Sequence, residues 1–65
     1  MAALVDIDMI LVFRKGGGVL VEDLDTEKKL WLPVSQIEID PPDADLTDQV
    51  TVTMPEWLAI EKELI

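Results

Sequence analysis

The N-terminal part of the chain contains a run in which apolar side chains recur at every second position. Between residues 5 and 13 the odd-numbered positions are all apolar, whereas the even-numbered ones start with Asp6 and Asp8 and become apolar only afterwards. A period of two is the signature of an extended strand whose side chains alternate between two faces. The run therefore predicts a β-strand with one fully apolar face, which includes Phe13, and a second face that is solvated at first.

Glycine and proline positions divide the following residues into short strands. Gly16–Gly18 can adopt the backbone angles of a tight turn, so residues 19–24 are predicted to form a hairpin with the first strand. A third strand is predicted over residues 29–32, with Trp31 on the face opposite to its two leucines. Pro33 has no N–H to donate, so it ends this strand or places it at an edge of the sheet.

The C-terminal half predicts two further strands separated by a loop. Residues 37–40 resume the alternation, and residues 50–54 form a strand with Thr51 and Thr53 facing away from the apolar side. The segment 40–49 contains two prolines and four aspartates, which predicts an exposed acidic loop.

A helix is predicted over residues 55–65. Pro55 suits the first helical turn, and Thr53 stands three residues before Glu56 in the spacing of a capping box. Apolar residues recur at i, i+3 and i+7, which predicts a stripe that faces the core. The stripe consists of Trp57, Ile60 and Leu64.

These elements predict one domain over residues 1–65 of the mainly β (α+β) class. The architecture expected is a small antiparallel β-barrel or rolled sheet of four to five strands with a C-terminal helix. A chain of 65 residues buries only about 60% of the surface that it exposes when unfolded. Because it has no cysteine, it depends on a well-packed small core or on association with another chain.

Both tryptophans stand close to a proline, and two interpretations of them are open. In the first, Trp31 and Trp57 fill the irregular gaps left where Pro33 and Pro55 interrupt regular structure. In the second, Trp31 lies outward on the sheet and anchors a partner, since tryptophan is enriched at interface hot spots.

The charge balance limits the partners of this chain. Fourteen acidic residues against five basic ones give a net charge of −9. A nucleic-acid binder replaces counterions with lysine and arginine, so direct binding to nucleic acid or to an anionic membrane is disfavoured, and a basic protein partner is expected. No signal peptide and no apolar run of about 18 residues is present in the sequence, which predicts a soluble, cytoplasmic protein.

The residue types that carry most catalysis are missing. Without cysteine or histidine the chain has no common metal ligand besides carboxylates and no activated nucleophile, so neither an enzyme nor a cofactor is expected. Gly16–Gly18 lack the lysine and hydroxyl residue of a phosphate-binding loop. Residues 43–48 lack the glycine and the closing glutamate of an EF-hand, so no calcium site is expected.

Two acidic clusters are the candidate partner-binding regions. One consists of Glu22, Asp23, Asp25 and Glu27, and the other consists of Glu38, Asp40, Asp43, Asp45 and Asp48. One interpretation is that they keep a small apolar chain soluble. The other is that carboxylates on a rigid frame imitate nucleic-acid phosphates and occupy a basic groove. The predicted partner-binding residues are Glu22, Asp23 and Asp25 in one cluster, Asp40, Asp43, Asp45 and Asp48 in the other, and Trp31.

Two motifs around the tryptophans resemble a group of small proteins without assigned activity that tailed bacteriophages and prophages encode. They are Trp31-Leu32-Pro33-Val34-Ser35-Gln36-Ile37-Glu38 and Met54-Pro55-Glu56-Trp57-Leu58-Ala59-Ile60-Glu61-Lys62. The resemblance covers the C-terminal half and implies a glycine before the terminal Leu-Ile, where this chain has Glu63. By analogy, a phage origin implies small acidic inhibitors of host enzymes, such as anti-CRISPR or anti-restriction proteins.

The function expected from these observations is that of a non-enzymatic, acidic protein-binding module of phage or prophage origin. Its expected partner is a basic protein in the bacterial host cell, such as a nuclease or a nucleic-acid-binding complex. One alternative is an accessory of phage DNA replication or recombination that stacks single strands on Trp31, with Lys28 and Lys29 among its basic residues. The other is a structural or assembly protein that acts by self-association as a homo-oligomer.

Overall fold

The computed structural model describes residues 3–65 and shows one antiparallel sheet followed by a short helix. In chain order the elements are β1 (Leu4–Lys15), β2 (Gly18–Asp23), β3 (Lys29–Pro33), a 3₁₀ turn (Val34–Gln36), β4 (Glu38–Asp40), β5 (Gln49–Pro55) and α1 (Glu56–Glu61). The five strands lie in the order β3-β2-β1-β5-β4, and within residues 3–65 the edges β3 and β4 do not pair. The predicted mainly β class is confirmed, and of the two architectures expected the structure shows the rolled sheet.

The long strand β1 joins the two halves of this sheet. Its residues 4–10 pair with β5, and its residues 9–15 pair with β2. Only Met9 and Ile10 are paired on both sides. Because neighbouring strands twist relative to one another, a strand shared in this way lets the halves curl over a common inner face.

A β-bulge divides β1. Leu11 pairs with Val21 and Phe13 with Leu20, so Val12 is an extra residue without a partner in β2. The extra residue reverses the alternation, and Phe13 emerges on the outer face with 47% of its surface exposed. The prediction that Phe13 belongs to the apolar inner face was therefore wrong, because side-chain periodicity holds only while the strand stays regular.

The core consists of the inner face of the rolled sheet and the first turn of the helix. Two inward leucines of β3 and three inward residues of β5 are buried, as predicted. Each fully buried aliphatic side chain contributes about 1.5–3 kcal/mol. The buried apolar residues are Met9, Leu11, Val19, Val21, Leu30, Leu32, Val50, Val52, Met54, Leu58 and Ala59.

The helix is shorter than the predicted range 55–65 and starts without a capping box. Pro55 is its N-cap residue, and no side chain caps the first turn. The Thr53 hydroxyl donates instead to Asp6 Oδ1 on β1, at 2.6 Å. One of the free helix donors, the N–H of Glu56, is satisfied by the carbonyl of Ala3 at 2.8 Å.

The helix buries only part of the predicted stripe. Leu64 packs against the core, as predicted, but Trp57 and Ile60 are 50% and 56% exposed, and Leu58 and Ala59 are buried in their place. The chain leaves β5 directly into the helix, so the inward position of Met54 and the short connection through Pro55 fix which side meets the core. The prediction was wrong for Trp57 and Ile60 because a helix of six residues cannot extend an i, i+3, i+7 pattern.

The helix ends in a Schellman motif. The N–H of Glu63 donates to the carbonyl of Ile60 at 3.0 Å, and the N–H of Leu64 donates to the carbonyl of Ala59 at 2.8 Å. Glu63 has a φ of 60°, in the left-handed region where glycine is usual. The Lys28 ammonium lies 3.3 Å from the Lys62 carbonyl and 3.3 Å from Glu63 Oε2, so it covers this end of the helix.

We expect the substitution Glu63→Gly to raise the free energy of unfolding by about 1 kcal/mol over Glu63→Ala, because glycine removes the cost of a left-handed backbone. Both variants lose the contact with Lys28, so their difference isolates the backbone preference. Urea unfolding followed by circular dichroism measures it. Equal midpoints for the two variants would show that Glu63 is not held in this conformation.

Candidate functional site: the outer face of the sheet

The outer face of the sheet has two chemically different parts. We call the first the acidic strip, and it consists of Asp6 and Asp8 on β1 together with Glu38 and Asp40 on β4. We call the second the aromatic row, and it consists of Phe13, Leu20 and Trp31 on β1, β2 and β3.

The acidic strip is built from two parallel rows of side chains. In one row Thr53 of β5 stands between Asp6 and Glu38, and in the other Thr51 stands between Asp8 and Asp40. Strands lie about 4.8 Å apart and alternate residues about 7 Å apart, so the carboxylates occupy the corners of a rectangle of roughly 10 by 7 Å. The pattern is set by strand register, which gives the four charges fixed relative positions.

Hydrogen bonds orient the two carboxylates on β1. The hydroxyl of Thr53 donates to Asp6 Oδ1 at 2.6 Å, and that of Thr51 donates to Asp8 Oδ1 at 3.0 Å. These hydrogen bonds use only one oxygen of each carboxylate. All four residues of the strip are exposed. Within residues 3–65 the one ion pair joins Lys28 to Glu63, so no lysine or arginine neutralises the strip.

Glu38 and Asp40 of the second acidic cluster lie in the strip, and Asp40 is the one of them that was predicted to bind a partner. Asp43, Asp45 and Asp48 are exposed in the loop between β4 and β5. This loop is attached to the sheet, since Asp48 O accepts the N–H of Leu11 at 2.9 Å and Asp48 Oδ2 accepts the N–H of Asp45 at 3.0 Å.

The residues of the first predicted cluster do not form one surface. Glu22 lies on the outer face opposite Lys29, and Asp25 is exposed in the turn after β2. Asp23 is only 5% exposed, and its carboxylate accepts hydrogen bonds from the N–H of Asp25 at 3.1 Å and the hydroxyl of Thr26 at 3.2 Å. The Asp23 carboxylate therefore orders the turn, and its role as a partner contact stays a prediction.

Asp6 and Asp8 were not identified as site residues from the sequence, and Glu38 was placed in the second acidic cluster but not among the predicted partner-binding residues. Their spacing carried a signal, because Asp6 and Asp8 fall on one face of a strand and so do Glu38 and Asp40. The pairing that brings them together through β5 joins positions far apart in the chain, and no local pattern encodes it.

The exposed fractions of the two tryptophans decide between the two interpretations of them. Trp31 is 46% exposed on the outer face of an edge strand, and it packs over Gly18, where an added Cβ would lie 3.4 Å from Trp31 Cε3. Trp57 is half exposed as well. The interpretation that both tryptophans fill gaps beside the prolines was wrong, and Trp31 faces outward as the second interpretation required.

The other features to consider on the described surface are clusters of metal ligands and clefts. No group of three or more carboxylates among residues 3–65 is placed to hold a metal ion. A shallow cleft of about 250 Å³ between β4 and the end of β5 is lined by Leu4, Ser35, Gln36, Ile37, Glu38, Thr53 and Pro55. None of the helices within that part of the chain has the length and apolar character needed to cross a membrane.

Comparison of the chain with protein-family models, with curated proteins and with solved structures gives no match.

We expect Asp23→Ala to lower the free energy of unfolding by about 1–2 kcal/mol, because it removes a buried acceptor of two hydrogen bonds. The matched control is Asp25→Ala, which removes the same charge from an exposed side chain and should change stability by at most about 0.5 kcal/mol. Thermal or urea unfolding compares them. A similar decrease in the free energy of unfolding of both variants would mean that the Asp23 carboxylate does not order the turn.

Proposed function

We propose that the protein is a non-enzymatic, acidic protein-binding module that binds a basic protein through the outer face of its sheet. The observation that supports this most directly is the acidic strip, whose four exposed carboxylates are held on paired strands and are not neutralised within residues 3–65. We further propose that the partner is a nucleic-acid-processing or defence complex in the cytoplasm of a bacterial host.

The rigidity of the strip is what makes it suitable for recognition. The two carboxylates on β1 lose less side-chain freedom on binding, since they are already hydrogen-bonded to threonines. A net charge of −9 also steers a basic partner toward the protein before contact. A groove lined with lysine and arginine to receive phosphates would accept carboxylates presented in this way.

The proposed phage origin rests on the resemblance of the two tryptophan motifs. Small acidic proteins that block host enzymes are the analogy that this origin provides, and the acidic strip is the feature of this chain that fits it. Inhibition would then consist of occupying the basic groove, without any chemical step.

We expect capture of basic proteins from a bacterial lysate to weaken at high salt and to depend on the strip. Two triple variants each remove three charges from the net charge of −9: Asp6→Asn, Asp8→Asn, Asp40→Asn in the strip, and Asp43→Asn, Asp45→Asn, Asp48→Asn in the loop. Asparagine keeps an oxygen that accepts the threonine hydrogen bonds. We expect the loss in the amount of captured protein to be at least tenfold larger for the strip variant than for the loop variant.

Two results of that measurement would contradict the proposal. Capture that is insensitive to salt and to both variants would exclude recognition by charge. Equal losses in the two variants would show that only net charge matters and that the strip is not the binding surface.

A second function is favoured by the aromatic row. Phe13 and Trp31 are exposed on one face, and the outward positions of Lys15 and Lys29 flank them, as in surfaces that stack single-stranded nucleic acid. Two other basic side chains are engaged elsewhere: Lys28 on the helix end and Arg14, whose Nη2 donates to the Pro42 carbonyl at 3.3 Å.

We expect no change in tryptophan fluorescence when a single-stranded oligonucleotide is added at low salt, since the net charge of −9 repels phosphates. The variant Trp57→Phe leaves Trp31 as the only reporter. Quenching of Trp31 in this variant that disappears with Lys15→Ala and Lys29→Ala would favour the nucleic-acid function over the leading proposal.

A further inference from the structure

The first part of β1 is paired on one side only. Its residues 4–10 pair with β5, whereas β2 begins to pair at Met9, because β2 ends opposite that residue at Asp23. On the β2 side, none of residues 3–65 forms a strand pair with residues 4–8. We call this stretch the open edge.

The direction of the backbone groups at the open edge follows from the bonds on the opposite side. The carbonyl of Ala3 accepts the N–H of Glu56. The N–H and C=O of Leu11 both bond to the backbone of residues 47–48. The backbone N–H and C=O groups of the odd-numbered residues between them therefore point toward β5. Even-numbered residues therefore point their N–H and C=O groups at the open edge. These residues are Leu4, Asp6 and Asp8. Unpaired strand groups of this kind are a template for another strand.

A cleft of about 300 Å³ lies where the next strand would run. Apolar side chains and carboxylates line it together, and two of the apolar ones, Ile7 and Leu64, also pack against the core. The apolar residues are Ile7, Leu24, Leu64 and Ile65, and the acidic ones are Asp6, Asp8, Asp23 and Asp25.

We propose that the open edge receives an extended basic segment of the partner protein as an added antiparallel strand. This inference rests on the proposed function and specifies how the partner is recognised. Residues of the segment that stand opposite Asp6 and Asp8 share their outer face and are lysine or arginine. The residue between them points inward, opposite Ile7, and is apolar, because the cleft offers Leu24 and Leu64 on that side.

Other occupants of the open edge fit less well. A second copy of β1 in antiparallel register would place its own Asp6 and Asp8 against those of the first, and like charges directly opposite are destabilising. The outer edges of the sheet are poorer templates for the partner. Edge strand β3 carries Lys29 and ends at Pro33, which has no N–H, and β4 is only three residues long.

The test uses a seven-residue peptide of alternating valine and lysine and two of its N-methylated forms. In the proposed pairing the backbone N–H groups of the lysine residues point toward β1, and those of the valine residues point away. Methylation of the lysine backbone nitrogens should therefore weaken binding at least tenfold. Methylation of the valine backbone nitrogens should leave binding unchanged. Amide chemical shifts in the full chain report the site, and the largest changes are expected at Asp6 and Asp8.

Two controls separate charge from backbone pairing. Replacing the lysines of the peptide by glutamate should abolish binding. Asp6→Asn with Asp8→Asn should weaken binding of the lysine peptide, and Asp43→Asn with Asp45→Asn should leave it unchanged.

Equal binding of both N-methylated peptides, with shifts centred on Thr51 and Asp40, would overturn the strand addition and leave the acidic strip as the binding surface. No binding of any peptide would also overturn it, and the proposed function would then be decided by the salt dependence of capture from lysate. Tighter binding of the glutamate peptide would contradict both proposals.

Discussion

The pairing of one strand with two different neighbours determines the rest of this structure. Because β1 bonds to β5 along its first part and to β2 along its second, a five-stranded sheet can curl over a core that no second layer covers fully. The same division creates the surfaces of the proposed function. The half shared with β5 and β4 presents carboxylates, the half shared with β2 and β3 presents aromatic side chains, and, within the described chain, residues 4–8 of the first half pair with β5 alone.

Much of the fold was readable from local patterns. The alternation in residues 29–32 and 50–54 identified strands and their inward faces, because each segment is short and regular. The errors arose where regularity fails. An extra residue at Val12 moved Phe13 to the other face, and a helix of six residues could not carry the stripe predicted from Trp57 and Ile60. Glu63 shows that a helix can end in a left-handed residue that is not glycine, although glycine is the usual sequence signal for such an end.

The candidate site was less predictable than the fold. Exposed carboxylates in the loop followed from composition, but alternation left two interpretations of Trp31 open, and Asp23 is held inside a turn by bonds to Asp25 and Thr26. The acidic strip depends on which strands become neighbours, and that choice is made by packing across the whole core. The strip, the cleft and the open edge lie together because all three include Asp6 and Asp8, whereas the other residues of the strip and of the cleft come from distant parts of the chain.

The pairing of β1 with β5 has a consequence for how the protein folds. Leu4 pairs with Pro55, so the two halves of the sheet cannot join before all the residues between these strands have been made. Closing so long a loop costs entropy before any contact compensates for it, and sheets with such distant pairings fold on the slow side, in milliseconds to seconds. During translation the hairpin of β1 and β2 leaves the ribosome before β5, and its apolar side stays uncovered until β5 has been synthesised.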